Sequence, residues 1–557
     1  MPGGLMQLVG KGAQDVLLTG NPSFTHFRSM YKRHTDFAME HFRLYFNYSN
    51  LSLPVQGNIT LKTKVDRNAQ LLHDCYLNVT IPDIYSPVVP FGTTGEAIGY
   101  EFQWIKNLGY NMINYVAVTI NGSEIVRHTG EWMKLYAALK FDKAKKDIVD
   151  QMVGNVPELY DPANAYDRMN QYPHSISTAT GVAAPSIPGR VLSIPLHFWF
   201  CEVIGNALPL IALQHSEVAF IIELKNMYQL FTVRDTRSYS YLRIPANLRT
   251  TPISMARFLS PPTYGVTPRP SNNKLLLWNL NPYIEANYIF VTDSEMAHIA
   301  TTDHSFLINQ VSFRRLENQY SVGDDIELGM QNLCSRVVWV TQRTDRVRFN
   351  EWDNYTNWVD PQKPPLDAGT MINMTPWYSS GIVQLPGTSL RDILVSSNIV
   401  LDGKDRFTEK QYEFFDKIQN YRHHSGTAIA QLPGIYSYSF ALDHHTSQPS
   451  GSINGSQFNK TLLRNTYLLP PTSGNTADSV VHLCVLKSTA NNPKPTVVNP
   501  FEVDENGVLV YSRADLVHII QKTAANTYNY TYAVNAYVES YNFLRVIGGI
   551  ANLVFSS

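Results

Sequence analysis

Asn526–Ser540 reads NTYNYTYAVNAYVES, which puts Tyr528, Tyr530, Tyr532, Val534, Ala536 and Val538 on one side of an extended chain. Successive side chains of a strand point to opposite faces, so a period of two marks a β-strand with one face buried. The same alternation recurs along the chain. In NITLKTKV, Ile59, Leu61 and Val65 oppose Lys62 and Lys64, and in CYLNVTI, Cys75, Leu77, Val79 and Ile81 oppose Tyr76, Asn78 and Thr80. EVAFIIEL sets Val218, Phe220, Ile222 and Leu224 on one face, PYIEANYIFVT does so with Ile284, Ala286, Tyr288 and Phe290, and IYSYSFAL with Tyr436, Tyr438, Phe440 and Leu442. VLSIPLHFWF is predicted to be a strand with Leu192, Ile194, Leu196, Phe198 and Phe200 inward. Pro195 cannot donate a ladder bond, so that strand is expected to have an unpaired side. After Val116, Val118 and Ile120 comes Asn121-Gly122, a pair that tolerates the positive φ of a type I′ hairpin turn.

Helical spacing is confined to a few segments. EWMKLYAALKF places Trp132, Leu135, Tyr136 and Leu139 at i, i+3, i+4 and i+7, and TEKQYEFFDKIQNY opens with Thr408 and Gln411, the spacing of a capping box. Pro-, Gly- and Ser-rich connections such as 154–189 and 362–387 separate the strands. Many strands with long connections predict an all-β protein built from sandwiches. The 557 residues are enough for two of them, with a boundary near TDSEMAHIATTDHS, residues 292–305.

Composition narrows the function. With 45 basic and 46 acidic residues the net charge is −1, which argues against a protein that neutralises nucleic-acid phosphates. Charged residues are 16% of the chain and aromatics 12%. Against roughly 25% charge in ordinary soluble proteins, this sparse charge predicts large surfaces hidden in contacts. Cys75, Cys201, Cys334 and Cys484 are far apart, with no CxxC pair, and read as reduced, unpaired thiols in a cytosolic setting. No run reaches the roughly 18 apolar residues of a membrane helix. ALPLIALQHSEVAFIIEL comes nearest and is broken by Gln214, His215, Ser216 and Glu217. The N-terminus lacks the charged-then-apolar order of a signal peptide. Instead it carries QDVLLTGNPSFTHFRSMYKRHTDFAME, residues 14–40, with a turn at Thr19-Gly20-Asn21-Pro22. Its apolar residues are diluted for helix formation by Gly4, Gly10, Gly12 and Gly20.

Residues with reactive chemistry are weighed against plainer roles. His423-His424 and His444-His445 are metal-capable, but adjacent histidines rarely share one ion and no carboxylate or thiol stands at ligand spacing, so a structural role is expected. SFALDHHTSQPSG contains Ser, His and Asp without a nucleophile elbow, which favours no catalysis. In VDRNAQLLHD and DGKDRF the acids read as turn residues, with Asp402 and Asp405 ordering a loop and Arg406 pairing with them. The sequons at Asn47, Asn58, Asn78, Asn121, Asn354, Asn454, Asn459 and Asn529 read as coincidence in an Asn- and Thr-rich chain. RSMYKRH, followed by Asp36 and Glu40, reads as a protein contact rather than a nucleic-acid contact.

Several segments, in order, resemble the major capsid proteins of the nucleocytoplasmic large DNA viruses. They are GGLMQLVGKGAQDVLLTGNP with YKRHTDFAME, then LSIPLHFWFC with NALPLIALQHSEV. LDGKDRF, GIYSYSFAL and QPSGSIN follow, and ESYNFLRVIGGIANLVF comes last. The resemblance implies two tandem eight-stranded jelly rolls with long loops and a few short helices: an N-terminal arm at 1–25, a first jelly roll at 26–300 and a second at 301–557. It further implies a homotrimer of pseudo-hexagonal outline that meets neighbouring capsomers and tiles an icosahedral shell. Minor capsid proteins under the shell would be reached through the arm. The expected place is the virion, with assembly in the host cytoplasm. No catalytic, cofactor-binding or metal-binding residue is expected, nor a transmembrane segment or direct nucleic-acid binding. Two other readings stand beside this one. One is a minor double-jelly-roll component of the shell; the other is a carbohydrate-binding or carbohydrate-cleaving β-sandwich that would use Trp352, Trp358 and Trp377 as stacking platforms.

Overall fold

Two runs of eight strands share one connectivity. The first run is Phe37–Tyr45, Ile59–Lys64, Leu71–Ile81, Ile113–Ile120, Ser123–Thr129, Arg190–Pro195, Val218–Leu224 and Tyr283–Val291. The second is His304–Gln319, Ile326–Glu327, Leu333–Arg343, Leu394–Leu401, Lys404–Asp405, Ile435–Ser439, Thr461–Tyr467 and Tyr532–Ile547. In each run the first, eighth, third and sixth strands form one sheet in that order, and the second, seventh, fourth and fifth form the other. Among the described residues every pairing is antiparallel, and none joins a strand before Val291 to one after His304. Two four-stranded sheets ordered in this way are a jelly roll, so the chain is an all-β double jelly roll. The structure is a computed structural model. It describes residues 3–47, 53, 57–86, 100–168, 171–175, 184–235, 243–245, 255–259, 261, 278–348, 350–358, 391–426, 432–444, 448–470, 479–489, 492–497, 516–527 and 530–555. Trp377, His445, Tyr528, Asn529 and the 362–387 connection lie outside the described residues, as does the Cys484 side chain.

Most of the alternation is placed as read. Leu61 is buried between exposed Thr60 and Lys62, and Cys75, Leu77, Val79 and Ile81 are all buried. Asn121 (φ 52°) and Gly122 (φ 80°) make the two-residue turn between Ile120 and Ser123. Arg190–Pro195 lies at the end of its sheet, so Pro195 needs no second ladder partner.

Two expectations are corrected. Phe198 and Phe200 are fully buried but not on a strand: the strand stops at Pro195, and Phe200 sits in a helical turn, Trp199–Glu202, together with half-buried Cys201. Phe198 stacks on Phe200 and Phe220 there, so core packing rather than ladder register places the two rings. The helix read from Trp132, Leu135, Tyr136 and Leu139 is present as Gly130–Lys140, capped by Thr129 Oγ1 accepting from Trp132 N, and all of it but Glu131 and Lys140 is buried. Thr408 and Gln411 form no capping box. Lys410–Gln411 pairs with Ser396 and Ser397 as a strand, and a wide π-turn over Phe414–Ile418 opens into Gln419–His423. The boundary segment carries a helix, Asp293–Thr301, and the opening stretch carries two short helices, Gly3–Val9 and Val16–Thr19, that end at Gly10 and Gly20.

Candidate assembly body and the seam between the jelly rolls

Period two explains how one strand serves both a core and a seam. Along Tyr532–Ile547, the residues Tyr532, Val534, Ala536 and Val538 enter the second jelly roll's core with Val337, Trp339 and Tyr436. The intervening Asn535, Tyr537 and Glu539 are also buried, and two of them reach the first jelly roll. Leu333–Arg343 divides similarly: Val337 and Trp339 face that core, while Val338 and Val340 join the hydrophobic cluster of the first jelly roll. Apolar packing therefore continues from one half into the other.

The charged members of the seam are paired. Glu131, on the helix Gly130–Lys140, accepts from Tyr355 Oη at 2.8 Å, Asn535 Nδ2 at 2.7 Å and Tyr537 Oη at 2.6 Å. Burial, together with the Glu131 charge, pushes the Tyr355 and Tyr537 hydroxyls well up. One turn later Lys134 is ion-paired with Asp353, which also accepts from Asn107 Nδ2 at 2.9 Å and Asn111 Nδ2 at 3.0 Å. Burial alone would raise the Asp353 carboxyl. The Lys134 charge and the donated hydrogen bonds outweigh it and hold the group below the usual carboxylate range. Arg336 and Glu539, both buried, pair at 2.5 Å, with the Arg336 guanidinium 5.6 Å from the centre of the Trp132 ring. Main-chain contacts add to this: Gly426 N donates to Leu139 O at 2.9 Å, and His215 N to Gly549 O at 3.1 Å. A Cβ on Gly426 would come within 2.2 Å of Ala138 O, so only glycine allows that approach. Buried ions tolerate a seam only when each has a partner, and separating the halves would strand Lys134 and Asp353.

The residues singled out from sequence are dispersed. Trp352 donates Nε1 to Gln229 O at 3.0 Å beneath Lys225, and Trp358 accepts through its carbonyl from Arg346. These two tryptophans are therefore half-buried parts of the interior, not stacking platforms. His424 accepts at Nδ1 from Arg336 and stacks on His444, and His423 reaches Leu442 O at 2.8 Å. No cluster of three metal-capable side chains occurs among the described residues. Ser439 Oγ lies 2.8 Å from His444 Nε2, 2.9 Å from Ala441 O and 3.1 Å from Ala441 N, which ties it into the turn that follows its strand. Asp402 orders a turn as expected, but no Asp405–Arg406 ion pair forms among the described residues. Asn78 is buried against Glu285 and Asn354 is buried as well, closing both sequons to modification in the folded chain. The RSMYKRH cluster is exposed throughout. Cys75, Cys201 and Cys334 are thiols. No helix among the described residues is long and apolar enough to cross a membrane.

Sequence reasoning missed Glu131, Lys134, Asp353, Arg336 and Glu539. The one signal available was charge placed inside strongly apolar elements, such as Lys134 within WMKLYAAL and Glu539 after NAYV.

Two jelly rolls of one connectivity, fused along an apolar and ion-paired seam, define the class of double jelly-roll capsid proteins. Residues 25–252 match the family model for the major capsid protein N-terminus, and 295–493 match that for the large eukaryotic DNA virus major capsid protein. The chain belongs to the major capsid protein family of the nucleocytoplasmic large DNA viruses. It is 27% identical to the major capsid protein of Phaeocystis pouchetii virus, over 83% of this chain and 92% of that one. To the major capsid protein of Paramecium bursaria Chlorella virus 1 it is 26% identical, over 100% of both chains. A chain of the quasi-atomic PBCV-1 virus capsid superposes with a TM-score of 0.59 at 20% identity, covering 96% of this chain and 100% of that one. The protein is a structural component of the virion capsid and not an enzyme.

Proposed function

We propose that three copies associate as a homotrimer of pseudo-hexagonal outline and that such trimers, meeting neighbouring capsomers, tile the icosahedral shell of a large double-stranded DNA virus. In this reading the chain divides into an arm at 1–25, a first jelly roll at 26–300 and a second at 301–557. The observation that carries it is the repeated connectivity within one body. Two like sandwiches side by side give a three-fold trimer six similar units around its rim, an outline that packs as a hexagon. The arm supports contact with other shell proteins. Residues 3–41 are all exposed, with Leu17 and Leu18 in the arm and Phe27 and Tyr31 just after it, and exposed apolar side chains in such density belong against a partner. Minor capsid proteins beneath the shell are the partners proposed, and the host cytoplasm the place of assembly.

Sedimentation and negative-stain microscopy of the purified chain test this. The expected particle has three times the 63.0 kDa subunit mass and a hexagonal outline. A stable monomer at micromolar concentration would overturn the reading.

A further inference from the structure

On the second jelly roll an open cleft of about 660 Å³ lies between strand His304–Gln319, the 326–332 turn and the 456–461 segment. That volume falls within the roughly 300–1,000 Å³ of small-molecule sites. The floor is fixed by hydrogen bonds from main-chain amides. Gly455 N donates to Asn332 O at 2.7 Å, Leu328 N to Thr461 O at 2.9 Å and Asn332 N to Ser456 Oγ at 3.0 Å. Gly329, at φ 57°, leaves bare backbone on which Arg314 lies; a Cβ there would stand 2.9 Å from Arg314 Nη2. The walls contrast with this floor. Arg314, Glu327, Gln331, Asn332 and Asn459 line the cleft, and none of these side chains makes a hydrogen bond or ion pair among the described residues. Phe458, half-buried, supplies an apolar wall.

We infer that this cleft binds a neutral saccharide of a few residues. The lining disfavours anions, cations and apolar ligands. An anion attracted by Arg314 would meet Glu327, and a cation attracted by Glu327 would meet Arg314. An apolar ligand would cover five polar side chains and leave them unpaired, at a cost for each. A ring of hydroxyls satisfies all of them, donating to Glu327 and the amide oxygens while accepting from Arg314 and the amide nitrogens. The apolar face of the same ring rests on Phe458. A capsid role requires none of this, so the site adds recognition to a building block.

The test is saturation-transfer NMR on the full chain produced without glycosylation, with maltotriose, cellotriose, mannotriose and lactose as probes and glucuronate as the anionic control. At least one neutral saccharide should receive transfer. Arg314→Ala and Glu327→Gln should each weaken its binding by about tenfold or more, with melting temperature and sedimentation unchanged. Transfer to none of the probes, stronger binding of glucuronate, or binding undiminished in both variants would each overturn the proposal. Saccharides carried by the shell are distinguished from those of another surface by repeating the measurement on particles before and after glycosidase treatment. A gain after treatment identifies the shell's own sugar as the occupant, and unchanged binding identifies an external one. Loss of the trimer in the sedimentation assay above would leave the saccharide result standing, so the two proposals fail separately.

Discussion

Asn121 and Asp402 occupy the same place in the two jelly rolls. Each is the first residue of the two-residue turn between the fourth and fifth strands, with φ of 52° and 46°, and each is followed by a glycine at φ 80° and 79°. Each also ties the turn to the residue before the seventh strand. Asn121 N donates to Glu217 O at 2.9 Å and its Oδ1 accepts from Glu217 N at 2.9 Å; Asp402 N donates to Lys460 O at 2.9 Å and its Oδ1 accepts from Lys460 N at 2.8 Å. The duplication reaches the level of single hydrogen bonds.

Asparagine and aspartate should therefore exchange. Both tolerate the left-handed conformation and both present Oδ1 to the same amide. Asp402→Asn is expected to leave the melting temperature nearly unchanged, and Asn121→Asp, which gives up only the Nδ2 bond to Ser216 Oγ at 3.1 Å, to lower it less than alanine does. Asn121→Ala or Asp402→Ala loses the side-chain bond and strains the turn, and should cost about 1–3 kcal/mol. Thermal denaturation of the four variants decides. An alanine as stable as the exchange variants would mean that the side-chain bond contributes nothing.

The seam gives a second prediction. Lys134 and Asp353 are 1% and 5% exposed, and each half supplies one of them. Lys134→Met leaves Asp353 buried without its cation and should destabilise by about 3–5 kcal/mol. Lys134→Met with Asp353→Leu removes both charges and should recover a large part of that loss. Chemical denaturation measures both. A single variant no less stable than the double would show that the pair does not hold the seam.

Acid sensitivity follows from two histidines in the first jelly roll. Burial lowers His128 to about 4. Burial, with the charges of His128, Lys140 and Lys145 behind it, lowers His197 to about 3. Their unfolded values are near 6.5. Between these limits the unfolded chain binds protons that the folded chain refuses, so stability falls by about 1.4 kcal/mol per pH unit for each histidine as pH drops from about 6.5, toward about 4 for His128 and toward about 3 for His197. Above pH ~6.5 both states are neutral there and the effect vanishes. His128 Nδ1 is buried without a hydrogen-bond partner and its ring packs 5.6 Å from that of Phe198, so His128→Phe is the informative variant. Its melting temperature should decline less steeply than wild type below pH 6, and equal slopes would count against the assignment.

What the sequence made legible was whatever depends on neighbours along the chain. Leu61 between Thr60 and Lys62 and the Asn121-Gly122 turn are local facts, and they are placed as read. Phe198 and Phe200 misled because alternation continues past Pro195 while the backbone does not; a helical turn carries the two rings into the same core. Thr408 and Gln411 have the spacing of a cap, but pairing of Lys410 and Gln411 with Ser397 and Ser396 wins those residues for a sheet. The seam was hidden for another reason. Asn535, Tyr537 and Glu539 look like the wet side of a strand, and only the second jelly roll standing against helix Gly130–Lys140 turns that side into an interior.

The arm offers the last test, and it bears on assembly rather than folding. No residue from 3 to 41 is buried. The side-chain hydrogen bonds of residues 3–36 stay inside the segment: Gly12 with Asp15, Thr19 with Asp15, Phe27 with Thr25 and His34 with Thr35. Removing residues 2–23 therefore takes nothing from either core, and the truncated chain should melt within a degree or two of the full one. It does take away Leu5, Leu8, Val9, Val16, Leu17 and Leu18, all exposed and apolar. If those side chains dock on other shell proteins, folding upon contact as such segments do, the truncated protein should still form its trimer while particles fail to close or lose their inner minor proteins. Calorimetry, sedimentation and microscopy of particles separate the two effects. Unfolding on truncation would place the arm in the core, and normal particles with a full complement of inner proteins would remove its role in the shell.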